Sequence, residues 1–141
     1  QINYFSIFRI MQIYLDYCLK FNLRSSIVNI GSIVGGKQGF PNLTAYASTK
    51  GALKSLTQSF AVEVARYGIR ANTVNPGFIK TSYYNKFKNN KKLYKWTISR
   101  IPMKHWGEPM HISGLVEYLL SEKSEYLTGE TINVDGGWSN A

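Results

Sequence analysis

A short apolar run and a turn-terminated segment, on either side of a helical stretch, constrain this chain more than any other feature. Ser26-Ile27-Val28-Asn29-Ile30-Gly31-Ser32 ends in glycine and serine, so it reads as a buried strand that delivers Ser32 to its C-terminal end. Ile69-Arg70-Ala71-Asn72-Thr73-Val74-Asn75-Pro76-Gly77 reads as a second strand, stopped where proline cannot donate to a ladder. Between them Leu53, Leu56, Phe60 and Val64 recur at helical spacing, and Gly68 follows as a C-terminal cap. Strand, helix and strand in that order imply a right-handed parallel crossover. Open α/β sheets bind ligands beyond the C-terminal ends of their strands, so chemistry is expected around Ser32 and the Asn75-Pro76-Gly77 exit. On its own, however, Asn75-Pro76-Gly77 is an ordinary turn sequence.

The helix opens with Tyr46-Ala47-Ser48-Thr49-Lys50. Residues four apart share a helix face, so a phenol and an ammonium can converge there. An unperturbed tyrosine, with a pKa of about 10, is a poor base near neutrality. A nearby cation favours the phenolate by Coulomb attraction and makes proton exchange with an alcohol or carbonyl feasible. Spacing alone does not identify such a pair, because Tyr84 and Lys88 repeat it in a lysine-rich stretch without apolar periodicity. Context favours Tyr46.

Four segments in order, Gly31-Ser32, Tyr46 to Lys50, Asn75-Pro76-Gly77-Phe78-Ile79-Lys80-Thr81 and Thr128-Gly129-Glu130-Thr131-Ile132-Asn133-Val134-Asp135-Gly136-Gly137-Trp138, resemble the short-chain dehydrogenase/reductase family. The resemblance runs nearly end to end. It implies a doubly wound, parallel-sheet, Rossmann-like α/β fold and an NAD- or NADP-dependent oxidoreductase that transfers hydride between a nicotinamide and a secondary alcohol or ketone. By the same resemblance Tyr46 is the general acid/base and Ser32 hydrogen-bonds the substrate oxygen. Lys50 assists Tyr46 and binds the nicotinamide ribose, and Asn3 matches an asparagine that supports a proton relay through water. Pro76, Gly77, Ile79 and Thr81 match positions that contact the nicotinamide carboxamide, while Tyr46 and Lys50 also count among the cofactor contacts. The family usually assembles as homodimers or homotetramers. Ser32 precedes Tyr46 by 14 positions, one more than the family usually shows, which points to an insertion in the loop around Gly36 to Pro41.

The glycine-rich strand-to-helix turn that cradles a pyrophosphate is missing from the sequence, as is its acidic ribose partner. Residues 1–141 are therefore expected to be one domain, the C-terminal half of a dinucleotide-binding oxidoreductase. That truncated fold lacks its N-terminal half and leaves a sheet edge without its neighbours. The discrimination between NAD and NADP would lie outside it.

Charge is uneven along the chain. The net charge is +9, yet Val64 to Gly107 contains ten basic residues and no acidic one, so the rest is close to neutral. By resemblance, residues 82–106 form a substrate lid in which Tyr83, Tyr84, Phe87, Tyr94 and Trp96 lie among lysines. The plainest reading is a solvated basic loop. A sharper one is an anionic substrate, a sugar acid or a 3-oxoacyl carrier-protein thioester, attracted by Lys91, Lys92 and Lys95. Aromatics interleaved with lysines also suit nucleic acid, although no recognised nucleic-acid motif accompanies them. A noncatalytic scaffold that keeps the fold is a further alternative.

The remaining features exclude more than they suggest. Cys18 is the sole cysteine, so no intrachain disulfide can form. His105 and His111 lack the partners of a zinc site, and Ser32 lacks the surroundings of a hydrolase nucleophile. The N-terminal apolar stretch is interrupted by Arg9 and Asp16, which suits an amphipathic helix and no membrane span or signal peptide. A cytoplasmic setting is the corresponding expectation.

Overall fold

In the computed structural model, residues 2–36, 39–82 and 84–141 are described. Helix α1 (Phe5–Lys20) leads into strand β1 (Ser25–Ile30), α2 (Thr44–Val64) and β2 (Ile69–Pro76). The chain continues through α3 (Tyr84–Asn89), α4 (Lys91–Arg100) and α5 (Pro109–Leu120) to β3 (Thr131–Val134). Three parallel strands form one sheet in the order β1-β2-β3. The register pairs Ser25 with Ile69 through Ile30 with Val74, and Thr73 with Thr131 through Pro76 with Val134. A parallel crossover joins β1 to β2 through α2, which runs into a 3-10 turn (Ala65–Tyr67) closed by Gly68, whose φ of 71° is the left-handed conformation that glycine adopts without strain.

Strand alternation sorts the layers. Ile69 and Ala71 point to the face where Met11 and Cys18 of α1 meet Phe60, Ala61 and Val64 of α2. Arg70, one residue out of phase, points to the opposite face, where its guanidinium donates to the Leu119 carbonyl at the end of α5. Helices therefore cover both faces, as the fold class requires. Leu53, at the centre of α2, is fully buried, whereas Phe5, Ile10 and Ile13 of α1 are more than half exposed. The amphipathic helix expected at the N-terminus exists, but much of its apolar surface meets no other element.

A second core lies beyond the C-terminal ends of the strands, where Ile33, Val34, Ile101, Trp106 and Trp138 pack together. It organises residues 82–106 in a way the sequence did not suggest. The described part of this stretch holds two helices in place of a solvated loop, because Tyr84, Phe87 and Tyr94 turn inward onto Trp106, with ring centroids 5.1, 5.2 and 6.2 Å away. Asn90 caps α4 by accepting from the Leu93 amide. Tertiary packing overrides a local pattern with little periodicity. Tyr83 lies outside the described residues, as do Lys37 and Gln38 of the loop with the expected insertion.

At the tip of β1, the chain of Gly31 runs close against β2. A methyl group added there would collide with Asn75 Oδ1 and sit 2.8 Å from the Thr73 methyl. Gly31→Ala should therefore cost about 1–3 kcal/mol, the usual range for overpacking, and lower the melting temperature measured by circular dichroism. An unchanged melting temperature would show that Asn75 can move aside.

Candidate active site

The C-terminal ends of the strands are stitched together by one buried side chain. Asn75 Oδ1 accepts from the Ser32 amide at 3.0 Å, and Asn75 Nδ2 donates to Asn133 Oδ1 at 3.1 Å. Backbone bonds extend the β1-β2 pairing past the strand, from Gly31 N–H to the Val74 carbonyl and from Ile33 N–H to the Pro76 carbonyl. Ser32 is thus fixed by main chain on both sides and by Asn75. Its hydroxyl oxygen accepts from the Val34 amide at 3.1 Å, so the hydroxyl proton is left to donate outward.

Lys50 reaches back from the first turns of α2 to the same edge. Its ammonium donates to the Ile30 carbonyl at 2.8 Å, which leaves two of its three donors for other partners. It also lies 5.8 Å from the centre of the Tyr46 ring. The shared helix face inferred from spacing is therefore realised. Burial holds the Lys50 pKa below its ordinary value of 10.5. The unfolded chain then binds this proton more tightly than the folded one, a penalty that is full at neutral pH and fades as pH rises towards 10.5. Wild-type protein should accordingly gain stability relative to Lys50→Met as pH is raised through that window. Denaturation at neutral and alkaline pH checks this, and a constant difference between the two proteins would refute it.

The decoy pair turns out to have nearly the same geometry. Lys88 stands 5.9 Å from the Tyr84 ring centre, and Lys80 stands 6.0 Å from it. The surroundings separate the two tyrosines. Tyr84 packs edge-on against Tyr94 and Trp106. Tyr46 is 39% exposed and lines a cavity of about 850 Å³ whose other walls include Val34, Phe40, Phe78, Leu93 and Trp96. This volume suits a small organic ligand.

The other expected site residues are less closely joined. The Gly77 amide donates to the Val134 carbonyl, and a methyl group on Gly77 would strike Asp135, so only glycine fits that exit from β2. Ile79 forms an isolated bridge with Gly107, and the Thr81 amide turns back to the Ile79 carbonyl. Between them Lys80 pairs with Glu108 at 2.6 Å, and this hydrogen bond raises the lysine pKa above its ordinary value. Asn3 lies in the turn before α1, and no hydrogen bond joins it to Ser32, Tyr46 or Lys50 among the described residues. The sequence reading passed over Asn75 as part of a turn. Its signal was an asparagine in the last strand position before proline, where β-propensity is poor and a side-chain role is the better explanation.

A second cleft, of about 550 Å³, lies at the opposite ends of the strands. Its Arg70 is already committed to the Leu119, Ser121 and Leu127 carbonyls and the Ser124 hydroxyl. Among the described residues that line it, no lysine stands beside a tyrosine ring as Lys50 does beside Tyr46.

Comparison with known proteins identifies the family. A sequence profile described as enoyl-(acyl carrier protein) reductase matches residues 1–139. The chain belongs to the short-chain dehydrogenase/reductase family. A 3-oxoacyl-[acyl-carrier-protein] reductase of Thermotoga maritima is 36% identical over 136 residues, covering 96% of this chain and 54% of the relative. Among solved structures, 4-hydroxyisoleucine dehydrogenase complexed with NADH superposes with a TM-score of 0.95 at 31% identity, covering 99% of this chain and 57% of that one. A gluconate 5-dehydrogenase from Burkholderia cenocepacia in complex with NADP and tartrate gives a TM-score of 0.92 at 30% identity, with 99% and 54% covered. This member of the family thus spans about half the length of the relatives it matches. No helix among the described residues is long and apolar enough to cross a membrane.

Proposed function

We propose that this chain carries the substrate-handling and proton-handling portion of an NAD(P)-dependent oxidoreductase acting on a secondary alcohol or its ketone. The observation that carries the reading is Lys50, held by the Ile30 carbonyl at the C-terminal edge of the sheet and facing Tyr46 at the wall of a cavity. A nicotinamide, when bound, supplies or removes the hydride. Tyr46 gives a proton to the substrate oxygen during reduction and takes it back during oxidation. The Ser32 hydroxyl donates to the same oxygen as negative charge develops on it, where a fixed donor is most effective. Lys50 supports the phenolate and keeps donors for a ribose.

The residues present fit the nicotinamide end of such a cofactor. The Lys50 ammonium has unspent donors beside Tyr46, and Pro76, Gly77, Ile79 and Thr81 follow the β2 exit as the sites proposed to meet the carboxamide. The sequence contains no glycine-rich turn for the pyrophosphate. The half-length coverage of relatives supports the reading that another portion completes the cofactor site and selects NAD or NADP. Asn3 remains a proposed relay position, and a homodimer or homotetramer a proposed assembly.

Two substrate classes were open from the sequence. The apolar walls of the Tyr46 cavity favour an acyl chain over a polyhydroxylated sugar acid. Tyr84, Phe87 and Tyr94 pack on Trp106, which takes three of the aromatics in the 82–106 stretch away from base stacking and disfavours a nucleic-acid role.

The test is a titration of the purified 141-residue chain with NADH and NADPH, followed by assay of a form completed with a glycine-rich portion. The isolated chain should bind either dinucleotide more weakly than micromolar, and the completed form should oxidise one of them with a 3-oxoacyl thioester. Micromolar binding by the isolated chain would overturn the divided-site reading. Absence of turnover in a completed form that does bind NADH or NADPH would overturn the oxidoreductase reading.

A further inference from the structure

We propose that Arg100 anchors the anionic head group, a carboxylate or a phosphate ester, of a substrate whose apolar part occupies the Tyr46 cavity. The inference rests on the reading of that cavity as the substrate site and adds the residue that selects its ligand by charge.

Arg100 ends α4, and its guanidinium lies against two indoles, 5.1 Å from the Trp138 ring centre and 5.7 Å from that of Trp96. Those two rings meet edge to face at 5.5 Å, so the cation rests in a corner built from tryptophan. Contacts with ring faces hold the plane of a guanidinium without consuming its N–H donors, which point outward along its edges. Among the described residues no carboxylate, carbonyl or hydroxyl accepts from Arg100, and the ion pair seen there joins Lys80 to Glu108 instead. A fixed cation with unspent donors is a built receptor for a planar or tetrahedral anion.

Its position relates it to the reaction. Arg100, Trp96 and Trp138 line a groove of about 410 Å³ together with Phe40 and Pro41. Phe40, Pro41 and Trp96 are also walls of the cavity that Tyr46 lines, so the two spaces adjoin across shared side chains. The cavity offers apolar surface and the groove offers one cation. That combination fits an amphiphile with its chain inward and its charge at the rim.

This changes the role of the basic stretch. Lys91, Lys92 and Lys95 are exposed and line neither space, so their charges act at a distance by attracting anions towards the lid. Arg100 makes the contact. No acidic residue occurs between Val64 and Gly107 to compete for it.

The experiment measures binding of octanoate, octyl phosphate and 1-octanol to the 141-residue chain by calorimetry, for wild type, Arg100→Met and Arg100→Lys. Methionine keeps an apolar stem over the indoles, and lysine keeps the charge without the fork. Wild type should bind at least one of the two anions about tenfold or more tightly than the alcohol, the gain expected of a charge-assisted hydrogen bond. The preference should collapse in Arg100→Met and survive in part in Arg100→Lys, with melting temperatures reporting that each variant is folded. The anion preferred tells carboxylate from phosphate. Equal binding of anions and alcohol by wild type, a preference untouched in Arg100→Met, or no binding of any probe overturns the proposal. Turnover of nicotinamide without charge preference would sink this inference and leave the oxidoreductase reading standing. Charge preference without turnover in a completed form would do the reverse.

Discussion

Tyr46→Phe in a form of the enzyme that turns over should lower kcat by about two to four orders of magnitude, the usual contribution of a positioned general acid/base. The ring stays, so the wall it gives the cavity is kept and only the phenol oxygen is lost. Cofactor affinity should change little, because Lys50, the cofactor contact beside Tyr46, keeps its bond to the Ile30 carbonyl. Tyr84→Phe is the matched control. Its ring meets a lysine at almost the same distance but packs on Trp106, so kcat should not respond. The measurement is steady-state kinetics on both variants with dinucleotide binding measured alongside. A kcat unaffected by Tyr46→Phe would remove the proposed proton-transfer role, and a large loss in Tyr84→Phe would show that the wrong member of the pair had been chosen.

The largest effect on stability is expected from Asn75→Ala. Asn75 is 6% exposed and serves both as acceptor for the Ser32 amide and as donor to Asn133 Oδ1. Truncation leaves two groups without their partners at the end of the sheet, at a cost of about 2–4 kcal/mol if each is only partly rehydrated. It also frees the turn that holds Ser32. Asn75→Asp should be milder, since its carboxylate still accepts from Ser32 N–H and Asn133 can turn its amide to present a donor. Urea denaturation of the three proteins tests the order. Equal stabilities would mean that water fills the gap and that Asn75 does not brace the site.

Much of the fold was legible because it is written in local patterns. The short apolar run around Ile27 and Val28 marks β1, although it proves half-buried at the sheet edge, and the Asn75-Pro76-Gly77 turn closes β2, whose Arg70, Asn72, Thr73 and Asn75 interrupt any apolar run. Pro76 and Gly68 mark ends for covalent reasons that no tertiary context alters. Pro109 starts α5 in the same way, and Thr131–Val134 forms β3 as its short β-branched run suggests. Residues 82–106 were not legible in this way, because helices α3 and α4 depend on Trp106 and its neighbours, and a contact across many residues leaves no periodic trace. The site was divided along the same line. Tyr46 and Lys50 converge because a helix places them so, and spacing reveals that. Asn75 and Arg100 act through partners distant in sequence, Ser32 and Asn133 for one, Trp138 for the other, which no short motif announces.

The Lys80–Glu108 pair and the Ile79–Gly107 bridge fasten together the two ends of the segment that carries α3 and α4. The chain leaves the scaffold and returns to it at nearly one point, so the closing cost of the intervening loop grows only slowly with its length. What lies between is a cassette. Insertions or replacements there can reshape the cavity while the strand ends, Ser32 and the Tyr46 helix keep their places. A single scaffold can in this way be refitted to new ligands by exchange of one contiguous piece of sequence.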